Sequence, residues 1–140
     1  MNEKWIRWEP VAGLKVHYYI VSITDNEQGF EILLQPMRDA EKHVKIRFIE
    51  SIVSYRLIDE SYAADLIPTN EMREDPTTPW CFFKVENSRY LKWFIDTSLG
   101  MVEIYGQTRA FTHFSIMTLD SMFDIISLSE PVVEFVDSVS

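Results

Sequence analysis

A strict alternation of apolar and polar side chains in residues 43–50 limits the fold more than any other feature of the sequence. Val44, Ile46 and Phe48 fall on one face of an extended chain, and three basic side chains fall on the other. Successive side chains of a strand point to opposite faces, so the pattern predicts a half-buried strand. Such strands are typical of antiparallel sheets that keep one face in water.

Other runs of β-branched and aromatic residues predict further strands. Two pairs form expected hairpins: residues 14–24 with 30–35 through the turn Asp25–Gly29, and residues 110–118 with 122–128. Residues 4–9 predict an edge strand that Pro10 ends. Residues 52–58 fit either a continuation of an earlier strand or a separate one, and residues 132–139 could form a last strand.

One helix is well marked, directly after the apolar run Trp80–Val85. Asn87 or Ser88 can cap it, and residues 89–99 carry apolar side chains at helical spacing. We expect Leu91, Phe94 or Ile95, and Leu99 to face the sheet. Gly100 suits the left-handed conformation that follows many helices. Together these elements predict an α+β fold: a twisted antiparallel sheet with one main helix packed on one face, in a single domain spanning residues 1–140.

The chain is acidic, with a formal net charge of −9. Nucleic acids and anionic membranes attract basic surfaces, so we expect no binding to either. No apolar run approaches the length needed to cross a bilayer, and Cys81 is the sole cysteine. We therefore expect a cytoplasmic protein.

The sequence contains no recognisable catalytic or ligand-binding motif. Its four glycines are isolated, which excludes a phosphate-binding loop, and no zinc pattern or nucleophile elbow is present. We expect no metal and no cofactor. A small enzyme is the alternative hypothesis, with a site assembled from scattered residues around His113 and Asp124, since a carboxylate can orient a histidine as a general base. It requires both side chains to meet in a cavity near a third polar group.

Acidic residues are concentrated between residues 57 and 79, where six carboxylates accompany a single arginine. Residues 67–79 of this stretch form a long proline-containing connection, which is either a solvated loop or a functional one. Complementary charge accelerates association, and aromatic side chains hold protein complexes together. We therefore predict that this stretch binds a basic protein partner, through these residues: Asp59, Glu60, Glu71, Glu74, Asp75 and Trp80.

Two stretches also carry a family resemblance. Residues 85–93 (VENSRYLKW) and residues 113–118 (HFSIMT), the latter followed by Phe123–Ile126 and Glu130–Pro131, resemble the C-terminal halves of small bacterial proteins of the toxin-immunity type. The resemblance covers about a third of the chain. It implies a non-enzymatic cytoplasmic inhibitor that binds one cognate toxin, and it transfers no contact residues.

A third hypothesis is an assembly protein. In this case the chain would dimerise through exposed aromatic side chains, for which Trp5, Trp8 and Phe135 are the candidates. The sequence alone fixes no oligomeric state.

Overall fold

The computed structural model describes residues 2–38, 42–50, 52–105 and 111–137. Within these residues, nine strands form two antiparallel sheets, where we expected one sheet. The strands are β1 (Lys4–Arg7), β2 (Tyr18–Asn26), β3 (Gly29–Pro36), β4 (His43–Phe48), β5 (Ser54–Asp59), β6 (Phe82–Glu86), β7 (Thr112–Met117), β8 (Ser121–Ser127) and β9 (Val132–Val136). The helices are a short 3-10 helix (Glu60–Tyr62), α1 (Arg89–Thr97) and α2 (Met101–Ile104).

The first sheet has the strand order β1-β6-β7-β8-β5, and the second has the order β2-β3-β4-β9. Both predicted hairpins are present, as β2–β3 and β7–β8. Gly29 begins β3 at φ +121°, and an added Cβ would lie 2.6 Å from the carbonyl oxygen of Phe48, so only glycine fits this turn. The stretch that periodicity left undecided forms a separate strand, β5, which pairs with β8.

The core lies between the two sheets. The inner face of the five-stranded sheet contributes Phe82, Phe114 and Phe123, and these rings contact aromatic side chains of the opposite sheet. Phe30 stacks on Phe123 with ring centroids 6.3 Å apart, and Phe48 meets Phe114 edge-on at 5.6 Å. The alternation in β4 is confirmed, because its three apolar side chains are fully buried.

Helix α1 begins as predicted but does not pack as predicted. Ser88 caps it, and the Ser88 Oγ accepts a hydrogen bond from the amide of Leu91 at 2.9 Å. Gly100 adopts the expected left-handed conformation, with φ +89°. However, Tyr90 is the buried residue of this helix, and Leu99 is 91% exposed. Leu99 therefore does not face the sheet, and a main helix packed on one sheet face is not confirmed.

Two expectations about exposed aromatic residues are wrong. Trp5 and Trp8, proposed as dimer contacts, are both buried in the core, and Phe135 is partly buried against it. Dimerisation through an exposed Trp5–Trp8 surface is therefore excluded for this conformation.

Residues 106–110 and 138–140, which include the turn expected at Gly106, lie outside the described part of the chain. Among the described residues, no helix has the length and apolar character to span a membrane.

Candidate functional site

The acidic stretch and the His113–Asp124 pair both lie at the outer face of the five-stranded sheet, the face turned away from the second sheet. Residues 60–79, hereafter the acidic segment, run across this face. The segment is tied to β1, because the amide of Trp5 donates to the carbonyl of Met72 at 2.7 Å and the amide of Glu74 donates to the carbonyl of Trp5 at 2.9 Å. Ala63 is buried, and Leu66 packs against the core. The acidic segment is therefore part of the folded body.

The predicted carboxylates of this region have two kinds of environment. Asp59 and Asp75 form hydrogen bonds with residues two positions further along the chain. Asp59 accepts a hydrogen bond from the amide of Ser61, and Asp75 accepts hydrogen bonds from the amide and the hydroxyl of Thr77. Hydrogen bonds from the hydroxyls of Thr78 and Thr77 keep the pKa of Asp75 below its usual value. Glu60, Glu71 and Glu74 are exposed, and within the described residues they form no ion pair.

The structure brings the two ends of this region together. Glu60, Arg73 and Trp80 line one depression of about 320 Å³. Asp65 is neutralised by Arg89, whose Nη1 lies 3.2 Å from the Asp65 Oδ2. Of the exposed carboxylates, Glu60 lines this depression, whereas Glu71 and Glu74 are not among its lining residues.

Trp80, predicted as the aromatic anchor for a partner, is only 8% exposed. Its indole N–H donates to the carbonyl of Trp8 at 2.9 Å, and the guanidinium of Arg7 stacks on its ring at 3.8 Å. An indole held in this way cannot also insert into a partner. Trp80 therefore belongs to the core and not to the surface of the acidic segment.

His113 and Asp124 meet, as the enzyme hypothesis requires. In the β7–β8 register Ser115 pairs with Asp124 and His113 with Ile126, which places His113 and Asp124 diagonally on the same face. The His113 Nε2 lies 2.7 Å from the Asp124 Oδ1, and both side chains are almost completely buried. The Nε of Arg56 donates to the other carboxylate oxygen at 2.9 Å.

Ser88 supplies the third polar group, which sequence reasoning did not assign to this site. The Ser88 Oγ lies 2.6 Å from the His113 Nδ1. The turn before helix α1 gave the available signal, because the sequence predicted Asn87 or Ser88 as the helix cap, but the contact of Ser88 with β7 depends on tertiary packing. Asn87, directly before it, adopts a left-handed φ of +53°, which turns the chain sharply from β6 into the helix.

The position of each proton in this relay follows from its partners. Burial alone would raise the pKa of Asp124, but the hydrogen bond and charge of His113, together with Arg56, lower it below its usual value. An ionised Asp124 can only accept, so the His113 Nε2 carries a proton and donates it. When the imidazole is neutral, Nδ1 is a bare acceptor and the Ser88 hydroxyl donates to it, whereas a charged imidazole donates from Nδ1 to the Ser88 Oγ. We call Ser88, His113 and Asp124 the buried relay.

A cavity of about 220 Å³ adjoins the buried relay. Its walls include His113 and the two residues that follow Ser88 in helix α1, Arg89 and Tyr90. The rings of Tyr90 and Trp93 stack with centroids 5.8 Å apart, and the Tyr90 hydroxyl shares a 2.6 Å hydrogen bond with Ser54. Burial raises the pKa of this hydroxyl. Of the buried relay, His113 lines this cavity, whereas Ser88 and Asp124 are not among its lining residues.

Comparison with known proteins gives no identification. No family model matches the chain, and neither the curated proteins nor the solved structures contain a match. Within the described residues, no cluster of three or more His, Cys, Asp or Glu side chains could hold a metal ion. Function is therefore inferred from the geometry of the acidic segment and the buried relay.

Proposed function

We propose that this chain is a protein-binding module that inhibits a basic protein, of the toxin-immunity kind, in the cytoplasm. Inhibition would come from covering the partner's functional cleft, and the covering itself requires no catalysis. A basic nuclease is the most specific partner that fits, because the carboxylates would occupy positions that its cleft uses for phosphates.

The observation that carries the proposal is the set of free carboxylates of Glu60, Glu71 and Glu74 on a chain segment fixed to the sheet. A mobile acidic loop would lose conformational entropy on binding, whereas this one is already held by the backbone hydrogen bonds to Trp5. Pre-ordered charge of one sign raises the association rate and fixes the orientation of the complex. Because carboxylates outnumber basic groups in this segment, its net charge is negative.

Apolar contacts in the complex would come from residues other than Trp80. Tyr62 is 85% exposed at the end of the 3-10 helix, two residues after Glu60, and Ile67 is also exposed further along the acidic segment. Tyrosine is enriched among residues that dominate binding energy, because it adds a large contact area and a polar tip. Tyr62 therefore replaces Trp80 as the expected anchor.

The test is the association rate with the basic protein encoded by the neighbouring gene, measured at low and high salt. Reversing three charges together, with Glu60→Lys, Glu71→Lys and Glu74→Lys, should lower the rate about 10-fold or more at low salt and remove most of its salt dependence. The matched control reverses three exposed carboxylates elsewhere, with Asp25→Lys, Glu27→Lys and Glu50→Lys. It produces the same change in net charge.

Equal losses in the two triple variants would show that only net charge matters, and the acidic segment would then have no special role. An unchanged rate in both variants would remove the electrostatic mechanism. Tyr62→Ala tests the anchor separately, because it should accelerate dissociation and leave the association rate nearly unchanged.

A further inference from the structure

We propose that Ser88 is a nucleophile, activated by His113 and oriented by Asp124, that accepts a small acyl group from a carboxylic ester. This would be a second activity, at a site separate from the exposed carboxylates of the acidic segment. It does not depend on the proposed binding function, and each can fail while the other stands.

The arrangement satisfies the geometric requirements of an activated nucleophile. The Ser88 Oγ lies 2.6 Å from the His113 Nδ1, and the Asp124 carboxylate lies 2.7 Å from the Nε2 on the far side of the ring. Such a chain of hydroxyl, base and orienting carboxylate is recognised by geometry and roles, independently of fold and chain order. Here the imidazole presents Nδ1 to the serine and Nε2 to the aspartate.

The position of Ser88 at the start of helix α1 also favours nucleophilic attack. The amide of Leu91 already donates to the Ser88 Oγ at 2.9 Å, and the positive end of the helix dipole stabilises negative charge on this oxygen. Ser88 is 7% exposed, so its hydroxyl is shielded from bulk water but not fully enclosed. His113, its partner, lines the adjoining cavity.

The reaction would proceed in two balanced steps. The Ser88 Oγ attacks the carbonyl carbon, its proton passes to the His113 Nδ1, and the bond to the leaving alcohol breaks as that alcohol takes the proton. Water then attacks the acyl carbon, with His113 again accepting a proton, and the carboxylic acid departs while the Ser88 hydroxyl is restored. A small acyl group would occupy the adjoining cavity of about 220 Å³, whose walls include His113, Tyr90 and Trp93 but not Ser88 itself.

The first amide of helix α1 is the donor nearest to a substrate oxygen at Ser88. At present the amide of Arg89 donates to the Glu3 Oε2 at 2.8 Å, and Glu3 itself is buried. A carbonyl oxygen of a substrate would compete with this carboxylate. Glu3 thus occupies the position that an oxyanion would need, and Glu3→Ala should increase the reactivity of Ser88.

The experiment uses a fluorophosphonate probe, which transfers its phosphonyl group to an activated serine hydroxyl as fluoride leaves. Intact-mass and peptide analysis should locate one adduct on Ser88 of the full chain. His113→Gln should slow labelling about 100-fold or more, the usual contribution of a general base. Ser88→Asn keeps a capping side chain but removes the nucleophile, so it should stay folded and unlabelled. Ser98→Ala, at the other end of the same helix, is the matched control and should be labelled normally.

A second readout uses the unmodified protein, so that it remains decisive if a variant fails to fold. With a general base beside the hydroxyl, the labelling rate should rise with pH and then reach a plateau. An unassisted hydroxyl would instead gain about tenfold per pH unit throughout. Absence of an adduct on Ser88, or a rate without a plateau, overturns the proposal. p-Nitrophenyl acetate then tests whether the protein turns over an ester. Acylation of Ser88 with release of one equivalent of nitrophenol is sufficient to support the proposal, even without further turnover.

Discussion

The inner and outer faces of the five-stranded sheet are both closed to water, but by different means. The inner face is apolar and packs against the second sheet through interlocking aromatic rings, such as Phe82, Phe114 and Phe123. The outer face carries His113, Ser115 and Asp124, all nearly or fully buried, beneath the acidic segment and the start of helix α1. On the inner face burial itself stabilises the fold, whereas on the outer face each buried polar atom needs a partner.

The largest effect should come from opening a cavity on the inner face. Phe123 is fully buried and stacks on both Phe30 and Tyr55, so Phe123→Ala should lower the free energy of unfolding by about 3–5 kcal/mol. Urea unfolding measures this change. Leu57→Ala, at a half-exposed position of β5, is the control and should cost about 1 kcal/mol or less. Similar losses in both variants would contradict the central place given to this face.

Cys81 reports how firmly the outer face is closed. The thiol is buried, and burial raises its pKa to about 12. Because the thiolate is the reactive form, alkylation by iodoacetamide at pH 8 should be about 100-fold or more slower than in the urea-unfolded chain. Rapid alkylation of the folded protein would show that the cover over this face opens readily. A Cys81→Ser variant provides the unlabelled control.

Asp124→Asn should weaken the outer face in a pH-dependent way. The substitution leaves Arg56 without its carboxylate partner, and because Arg56 is partly exposed we expect a loss of about 2 kcal/mol at pH 7. The pKa of Asp124 is lowered in the folded protein, so its contribution is fully present above the unfolded value near 4 and disappears as the pH falls through the folded value. The stability difference between wild type and variant should therefore shrink below about pH 4. A difference that stays constant from pH 7 to pH 3 would contradict this assignment.

Ser115→Ala should have the smallest effect, and with the opposite sign. The Ser115 Oγ is fully buried, and no described residue forms a hydrogen bond with it. Removing an unsatisfied polar group relieves its desolvation cost, so the free energy of unfolding should stay within about 0.5 kcal/mol or rise by up to about 1 kcal/mol. A clear destabilisation in thermal or urea unfolding would show that this hydroxyl has a partner in solution.

The same two faces explain how far the sequence could predict this fold. In β7 the residues Phe114 and Ile116 alternate with His113 and Ser115, a pattern typical of one buried and one wet face. The alternation predicted the strand and its apolar side. It could not show that the acidic segment covers the polar side, because that contact depends on packing between parts of the chain separated by residues 80–111.

The features of the candidate sites differ in the same way: those set by local sequence were predicted, and those set by tertiary packing were not. The cap at Ser88 and the left-handed Gly100 follow from local chemistry and were predicted. The burial of Trp80 was not, because an aromatic residue beside acids has the same local signature whether it anchors a partner or fills a core. The relay from Ser88 to Asp124 could not be found from residue spacing. It depends on the register of β7 and β8, which their turn sets, and on the position at which helix α1 packs.

Strand β1 touches both candidate regions. Through Trp5 its backbone holds Met72 and Glu74 of the acidic segment, while the preceding residue, Glu3, accepts the amide hydrogen bond of Arg89 beside Ser88. Coupling between two binding equilibria is reciprocal. If a partner docked on the acidic segment shifts β1, it must alter the affinity for a ligand bound reversibly beside Ser88, and that ligand must alter the partner's affinity by the same factor.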